Sequence, residues 1–153
     1  MRLYIVRHGE AESRASNDAD RALTGFGRTG VAEIWQSLQR DGVQVARLVH
    51  SPYVRARQTA EVIGKYYPGV GLEACDLITP DDPVMPVIDW LADQPTLEGC
   101  VLVSHMPLVA ALTGALAEGV SARIPFSVGT VACLDMEVAA VGGGRLIWTR
   151  SPG

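Results

Sequence analysis

Cysteine is scarce in this sequence, with three in 153 residues. Cys75, Cys100 and Cys133 cannot all pair with one another, and they show no C-x-x-C spacing, so neither a disulfide framework nor a cysteine metal or redox centre is indicated. A cysteine-nucleophile phosphatase is excluded on spacing: it needs an Arg six positions after the Cys, and those positions hold Asp81, Met106 and Ala139. Buried free thiols in a reducing compartment are the expectation.

Excess positive charge is missing too. A formal net charge of −4 leaves no broad basic surface of the kind that takes its affinity from nucleic-acid phosphates, so no nucleic acid is expected as a partner and any anion site must be local. Long apolar runs are also wanting near the N-terminus. The stretch before Arg7 is too short for a signal peptide or a membrane span, and a cytoplasmic chain that engages no membrane is expected. No internal repeat or low-complexity segment marks a linker, and residues 1–153 read as one domain with enough apolar side chains for a substantial core.

What is present alternates between strand and helix signals. Leu3 to Val6 is short, apolar and partly β-branched, a buried strand that stops at Arg7-His8-Gly9. After a polar stretch from Glu10 to Arg21, Thr24 can cap a helix through about Arg40, with Val31, Ile34, Trp35 and Leu38 on one face and Gly42 beyond its end. Arg47 to His50 predicts a second strand, and Ser51-Pro52 predicts a helix start with Ser as N-cap and Pro at the first helical position, running to about Tyr66. Gly71 to Ala74 can form a short strand and Val84 to Asp93 a third helix. Val101 to Val103 suits a strand covered on both faces, followed by a helix ending near Gly119. Gly129 to Val138 and Arg145 to Arg150 read as two last strands around Gly142-Gly143-Gly144. The pattern predicts a three-layer α/β/α fold with a mostly parallel central sheet.

In such sheets ligands bind beyond the carboxyl ends of the strands. Arg7, His8 and Gly9 occupy one such end and His105 another, while Arg55 falls in the first turn of the helix after Ser51, where free N–H groups and the helix dipole favour an anion. Guanidinium forks at Arg7 and Arg55 can clamp the equatorial oxygens of a transferring phosphoryl group. A neutral imidazole at His8 can attack phosphorus in line, with neighbouring arginines disfavouring its protonated form, and His105 can add a donor to the developing charge. A metal-dependent phosphatase is disfavoured because arginines dominate the strand ends and repel cations. His50 lies one strand over, and Arg57 reads as a solvated charge.

These residues resemble the histidine phosphatase superfamily, the phosphoglycerate mutase-like fold, whose hallmark is Arg-His-Gly after the first strand; here it stands in YIVRHGE, Tyr4 to Glu10. Asp18 to Gly27, Ser51 to Thr59 and Val103 to Val109, together with the short length, are similar to the SixA-type phosphohistidine phosphatases. The resemblance covers nearly the whole chain, loosely between Pro68 and Gly99. It implies His8 as a phosphorylated nucleophile, Arg7, Arg55 and His105 as the rest of the phosphate pocket, and Asp18 and Arg21 at its rim, with Asp20 a substitute. The chain has little room for the inserted segments that enclose small substrates in larger superfamily members, which implies an open site. A phosphorylated protein, a histidine phosphotransfer or phosphotransferase-system protein, is the implied substrate, with no metal or cofactor and a monomer expected. A generalist small-molecule phosphomonoesterase and a non-catalytic phosphate-binding module are the alternatives. Asp18, Glu10 and Asp76 are the carboxylates that could protonate a leaving group.

Overall fold

The computed structural model describes residues 1–153. Its strands are β1 (Arg2–Arg7), β2 (Arg47–His50), β3 (Leu72–Ala74), β4 (Cys100–Ser104), β5 (Val131–Met136) and β6 (Gly144–Arg150). Its helices are α1 (Gly25–Arg40), α2 (Val54–Gly64), α3 (Val84–Ala92) and α4 (Leu108–Ala117), with a 3-10 turn at Asp18–Asp20. One six-stranded sheet has the order β3-β2-β4-β1-β5-β6. The first four run parallel, and β5 and β6 form an antiparallel hairpin on the β1 edge, as expected of the glycine-rich turn between them.

The continuous apolar runs of β1 and β4 are explained by cover on both faces. Along β1, Leu3 and Ile5 pack into a core with Val87, Ile88 and Leu91 of α3 and Leu108, Leu112 and Leu116 of α4. Tyr4 and Val6 turn to the opposite core, which holds Val31, Ile34, Trp35 and Leu38 of α1 and Ala56, Ala60 and Ile63 of α2. The strand period of two thus sorts one segment between two cores.

Thr24 caps α1 as its sequence predicts, its side chain accepting the Gly27 N–H. The start of α2 is a correction. Ser51 does not cap it: the helix begins at Val54 with Tyr53 in the capping position and no side-chain cap bond. The reason lies across the sheet, where the Ser51 hydroxyl is held 2.7 Å from His105 Nε2 while accepting the Tyr53 N–H. The hydroxyl is thus shared between His105 and the Tyr53 N–H, and residues 52 and 53 form a bend before the helix starts at Val54.

Candidate active site

The carboxyl ends of β1, β4 and β2 lie side by side, and each is followed by a histidine or ends in one. β1 and β4 pair with Arg7 opposite Ser104, so the next residues, His8 and His105, emerge together. The two rings lie 5.2 Å apart between centroids. The His8 N–H donates to Ser104 O and the Gly129 N–H to His8 O, which pins the chain where the side chain departs.

His8 is buried, and its Nδ1 lies 2.7 Å from the carbonyl oxygen of Gly9. A carbonyl only accepts, so Nδ1 carries the proton and Nε2 keeps its lone pair. Arg55 Nε points at that lone pair from 3.3 Å. Burial first, and then the charges of Arg55, Arg7 and Arg21, push the His8 pKa down to about 4, against the opposing pull of the Gly9 carbonyl. The ring is therefore neutral across the physiological range. The arginines act in the direction the sequence suggests, but desolvation is the larger cause.

Arg55 is almost wholly buried, and its guanidinium is fixed on three sides. Besides Nε on His8, one Nη donates to the Asp18 carbonyl at 2.8 Å and the other to the Asp18 carboxylate at 3.1 Å. Asp18 Oδ1 takes a second bond from Arg21 Nε at 2.9 Å, and Arg21 reaches on to the Glu12 carbonyl. Partial desolvation raises the Asp18 carboxyl, but the hydrogen bonds and charges of Arg21 and Arg55 outweigh it and hold the group below the usual carboxylate range. Asp20 is turned away onto Ser16, so Asp18 is the carboxylate at this rim. A hollow of about 510 Å³ adjoins it, lined by Ser13, Arg14, Ala15, Asn17, Asp18 and Arg21.

Arg7 donates one Nη to the Phe126 carbonyl at 3.0 Å, while its buried Nε has no partner. Burial and the neighbouring Arg55 lower its pKa. His105 Nδ1 is likewise buried and unpartnered. Burial, then the neighbouring His8 and Arg55, push the His105 pKa down to about 3, so this ring too is neutral.

The four residues singled out by sequence are thus brought together, with Asp18 and Arg21 joined to them through Arg55. Gly9 stands among them, but its backbone is engaged in support: its carbonyl holds His8 and its N–H donates to Thr59 Oγ1 at 3.1 Å. Gly9 also admits the close passage of α1, since a Cβ there would lie 2.9 Å from Val31 Cγ2 and 3.0 Å from the Gly27 carbonyl oxygen. His50 is buried with Nδ1 on the Ser51 carbonyl, and Arg57 is exposed beside Glu61. Of the other carboxylates considered, Glu10 lies 3.3 Å from the Thr24 hydroxyl and Asp76 sits on an exposed turn after β3. No group of three or more His, Cys, Asp or Glu side chains is arranged to hold a metal ion.

Three supporting residues escaped the sequence reading. Thr59 bridges the Arg55 carbonyl and the Gly9 N–H. Tyr53 stacks its ring edge-on to His105 at 5.0 Å and lies under the Arg55 guanidinium at 5.0 Å. Ser51 reaches His105. The i, i+4 spacing of Arg55 and Thr59 on one helix was the only local signal for any of them.

Residues 3–75 match the family model described as the histidine phosphatase superfamily, branch 1. The phosphohistidine phosphatase SixA of Escherichia coli is 31% identical over 157 aligned positions that cover 99% of this chain and 94% of that protein. The chain belongs to the histidine phosphatase superfamily. It is accordingly a hydrolase, a phosphatase with a histidine nucleophile. Among solved structures, the protein histidine phosphatase SixA complexed with tungstate matches with a TM-score of 0.88 at 30% identity, over 99% of this chain and 97% of that one. The mitochondrial serine/threonine-protein phosphatase PGAM5 of Xenopus laevis is 32% identical over 94 residues, but the chain spans only 34% of that protein.

Proposed function

We infer that this superfamily member is a phosphohistidine phosphatase that takes a phosphoryl group from a histidine of a partner protein onto His8 and passes it to water. The observation that carries this reading is the set of groups left without partners around one neutral ring. His8 Nε2 carries an unprotonated lone pair, met in the resting site by Arg55 Nε, and Arg7 Nε and His105 Nδ1 are buried polar nitrogens with no hydrogen bond. Buried polar atoms are rarely left so. A phosphoryl group between them would satisfy both, with Arg55 adding charge-assisted donors. The SixA structure with a tetrahedral oxyanion, tungstate, supports the same occupant.

In the first step Nε2 of His8 attacks phosphorus as the bond to the partner's ring nitrogen breaks. In the second, water attacks, the bond to Nε2 breaks, and orthophosphate leaves. A phosphoimidazole protonated on its other nitrogen departs as neutral imidazole and needs no acid beside it. This matters because the carboxylate nearest the quartet, Asp18, is held ionised by two arginines and is ill-suited to donate a proton. An alkoxide leaving from a sugar or serine phosphate would need such a donor. The geometry therefore favours the phosphoramidate over the ester, and with it a phosphorelay or phosphotransfer protein over a small molecule. The whole chain would act as one domain, as a monomer, in the cytoplasm, with Asp18, Arg21 and the hollow beside them receiving the partner.

The test compares turnover of a phosphohistidine-bearing phosphotransfer protein with that of sugar phosphates and a phosphoserine peptide. A preference in kcat/KM of about 100-fold or more for the phosphohistidine is expected. Equal or better turnover of the esters would favour the generalist phosphomonoesterase. Comparing the phosphohistidine proteome with active enzyme and with His8→Ala would then name the partner.

A further inference from the structure

The bond between Ser51 and His105 joins two residues with almost no solvent exposure, on neighbouring strand ends 54 positions apart. Ser51 Oγ has one proton to give and already accepts the Tyr53 N–H at 3.2 Å. His105 Nε2 lies 2.7 Å from the same oxygen, and His105 Nδ1 has no partner at all.

Only two arrangements of protons are open to this neutral ring. If Nε2–H donates to Ser51, the serine proton is left with no acceptor among the protein groups around it, and His105 presents a bare lone pair at Nδ1 where an anion is to bind. If Ser51 O–H donates to Nε2, every group of the serine is satisfied. The one atom then left over is an Nδ1–H donor beside His8. The second arrangement removes a buried unsatisfied hydroxyl and converts a repulsive nitrogen into an attractive one.

We propose that Ser51 is a positioning residue that fixes His105 in its Nδ1–H tautomer, so that an uncharged imidazole donates to the phosphoryl group. This rests on the phosphatase reading of the site and adds a role that the residue's place before α2 does not suggest. It also explains how His105 helps to bind an anion without being protonated. The Tyr53 N–H strengthens the arrangement by occupying a lone pair of Ser51, which leaves the hydroxyl proton directed at the ring. The edge-on Tyr53 ring keeps the imidazole from turning.

The direct test is ring-nitrogen NMR of the ligand-free enzyme labelled in histidine, with His105 assigned by its loss in His105→Ala. A protonated Nδ1 and a bare Nε2 are expected in the wild type, and a shift toward the other tautomer in Ser51→Ala. A bare Nδ1 in the wild type would overturn the proposal while leaving the phosphatase reading intact, since no turnover enters the measurement. Kinetics gives a second arm. Ser51→Ala should lose about tenfold in kcat/KM, the worth of one hydrogen bond, and Ser51→Thr should retain more activity than Ser51→Ala if it folds. In a His105→Ala background, Ser51→Ala should cost nothing further. An undiminished tenfold loss in that background, with unchanged melting temperature, would assign Ser51 a purely structural role and reject the tautomer mechanism.

Discussion

Arg55 Nε stands 3.3 Å from His8 Nε2, so the guanidinium in the resting site occupies the place from which the imidazole would attack phosphorus. Binding a phosphoryl group must insert it between the two, and Arg55 exchanges a ring nitrogen for an anionic oxygen as the anion enters. A bond between opposite charges replaces one from the guanidinium to a neutral acceptor, which biases the residue toward the liganded geometry.

His8→Ala removes the attacking nitrogen but little buried volume. Turnover should fall about 10⁴-fold or more with the fold retained, and the acid-labile, base-stable phosphoenzyme formed from a radioactive phosphodonor should disappear. Residual turnover near that of the wild type would reject His8 as the nucleophile.

Arg55 is positioned by its planar fork: one nitrogen toward His8 and two toward Asp18. Arg55→Lys keeps the charge but cannot make this pattern, so it should lose nearly as much activity as Arg55→Ala, about 10²- to 10³-fold in kcat/KM. Steady-state kinetics on both variants decides the point; near-complete rescue by Lys would show that charge alone suffices.

The pH dependence has a definite sign. His8 and His105 titrate near 4 and 3 in the folded protein, both below the ordinary 6.5. Between those values the unfolded chain binds more protons than the folded one, so stability is fully present above 6.5 and is lost progressively as pH falls toward 4 and then 3. Activity should share this profile, with its acid limb near 4 instead of 6.5. Urea midpoints and kcat/KM measured from pH 3.5 to 8 would check both, and an acid limb centred at 6.5 would contradict the burial of the ring.

Two glycines of α1 should respond in opposite ways to alanine. At Gly27 a Cβ would overlap the carbonyl oxygen of Glu10, backbone that leads out of the Arg7-His8-Gly9 turn, so Gly27→Ala should destabilise by about 1–3 kcal/mol and disturb the site. At Gly25 a Cβ would meet nothing, and Gly25→Ala should stabilise by about 0.4–1 kcal/mol through the unfolded chain. Denaturant unfolding of the pair separates packing from chain entropy.

Asp18 is more than half exposed and pairs with two arginines. The pair with Arg21 is exposed and contributes about 0–1 kcal/mol, but Arg55 is buried, so Asp18→Ala leaves its guanidinium short of a counter-ion and should lower the melting temperature measurably. The effect should also appear in KM for the protein substrate, because the rim would lose the group that sets Arg21 and Arg55.

Local pattern was enough for much of this. Apolar runs without alternation at Leu3 to Val6 and Val101 to Val103 marked strands covered on both faces, and the spacing of Val31, Ile34, Trp35 and Leu38 marked the buried stripe of α1, because burial repeats with the period of the backbone itself. Arg-His-Gly at a strand end, with Arg55 and His105 at compatible places, was likewise visible, since strand ends can be located from where hydrophobicity stops. Sequence could not decide which partner each polar atom takes. That choice belongs to the register of β1 against β4, which brings His8 beside His105, and to the crossing of α2, which sets Thr59 under Gly9. It tied the Ser51 hydroxyl to an imidazole 54 residues on, picked Asp18 over Asp20, and set Arg55 against the lone pair of His8 Nε2. Hydrogen bonds are short and directional, so an ångström of tertiary placement settles what composition and periodicity leave open.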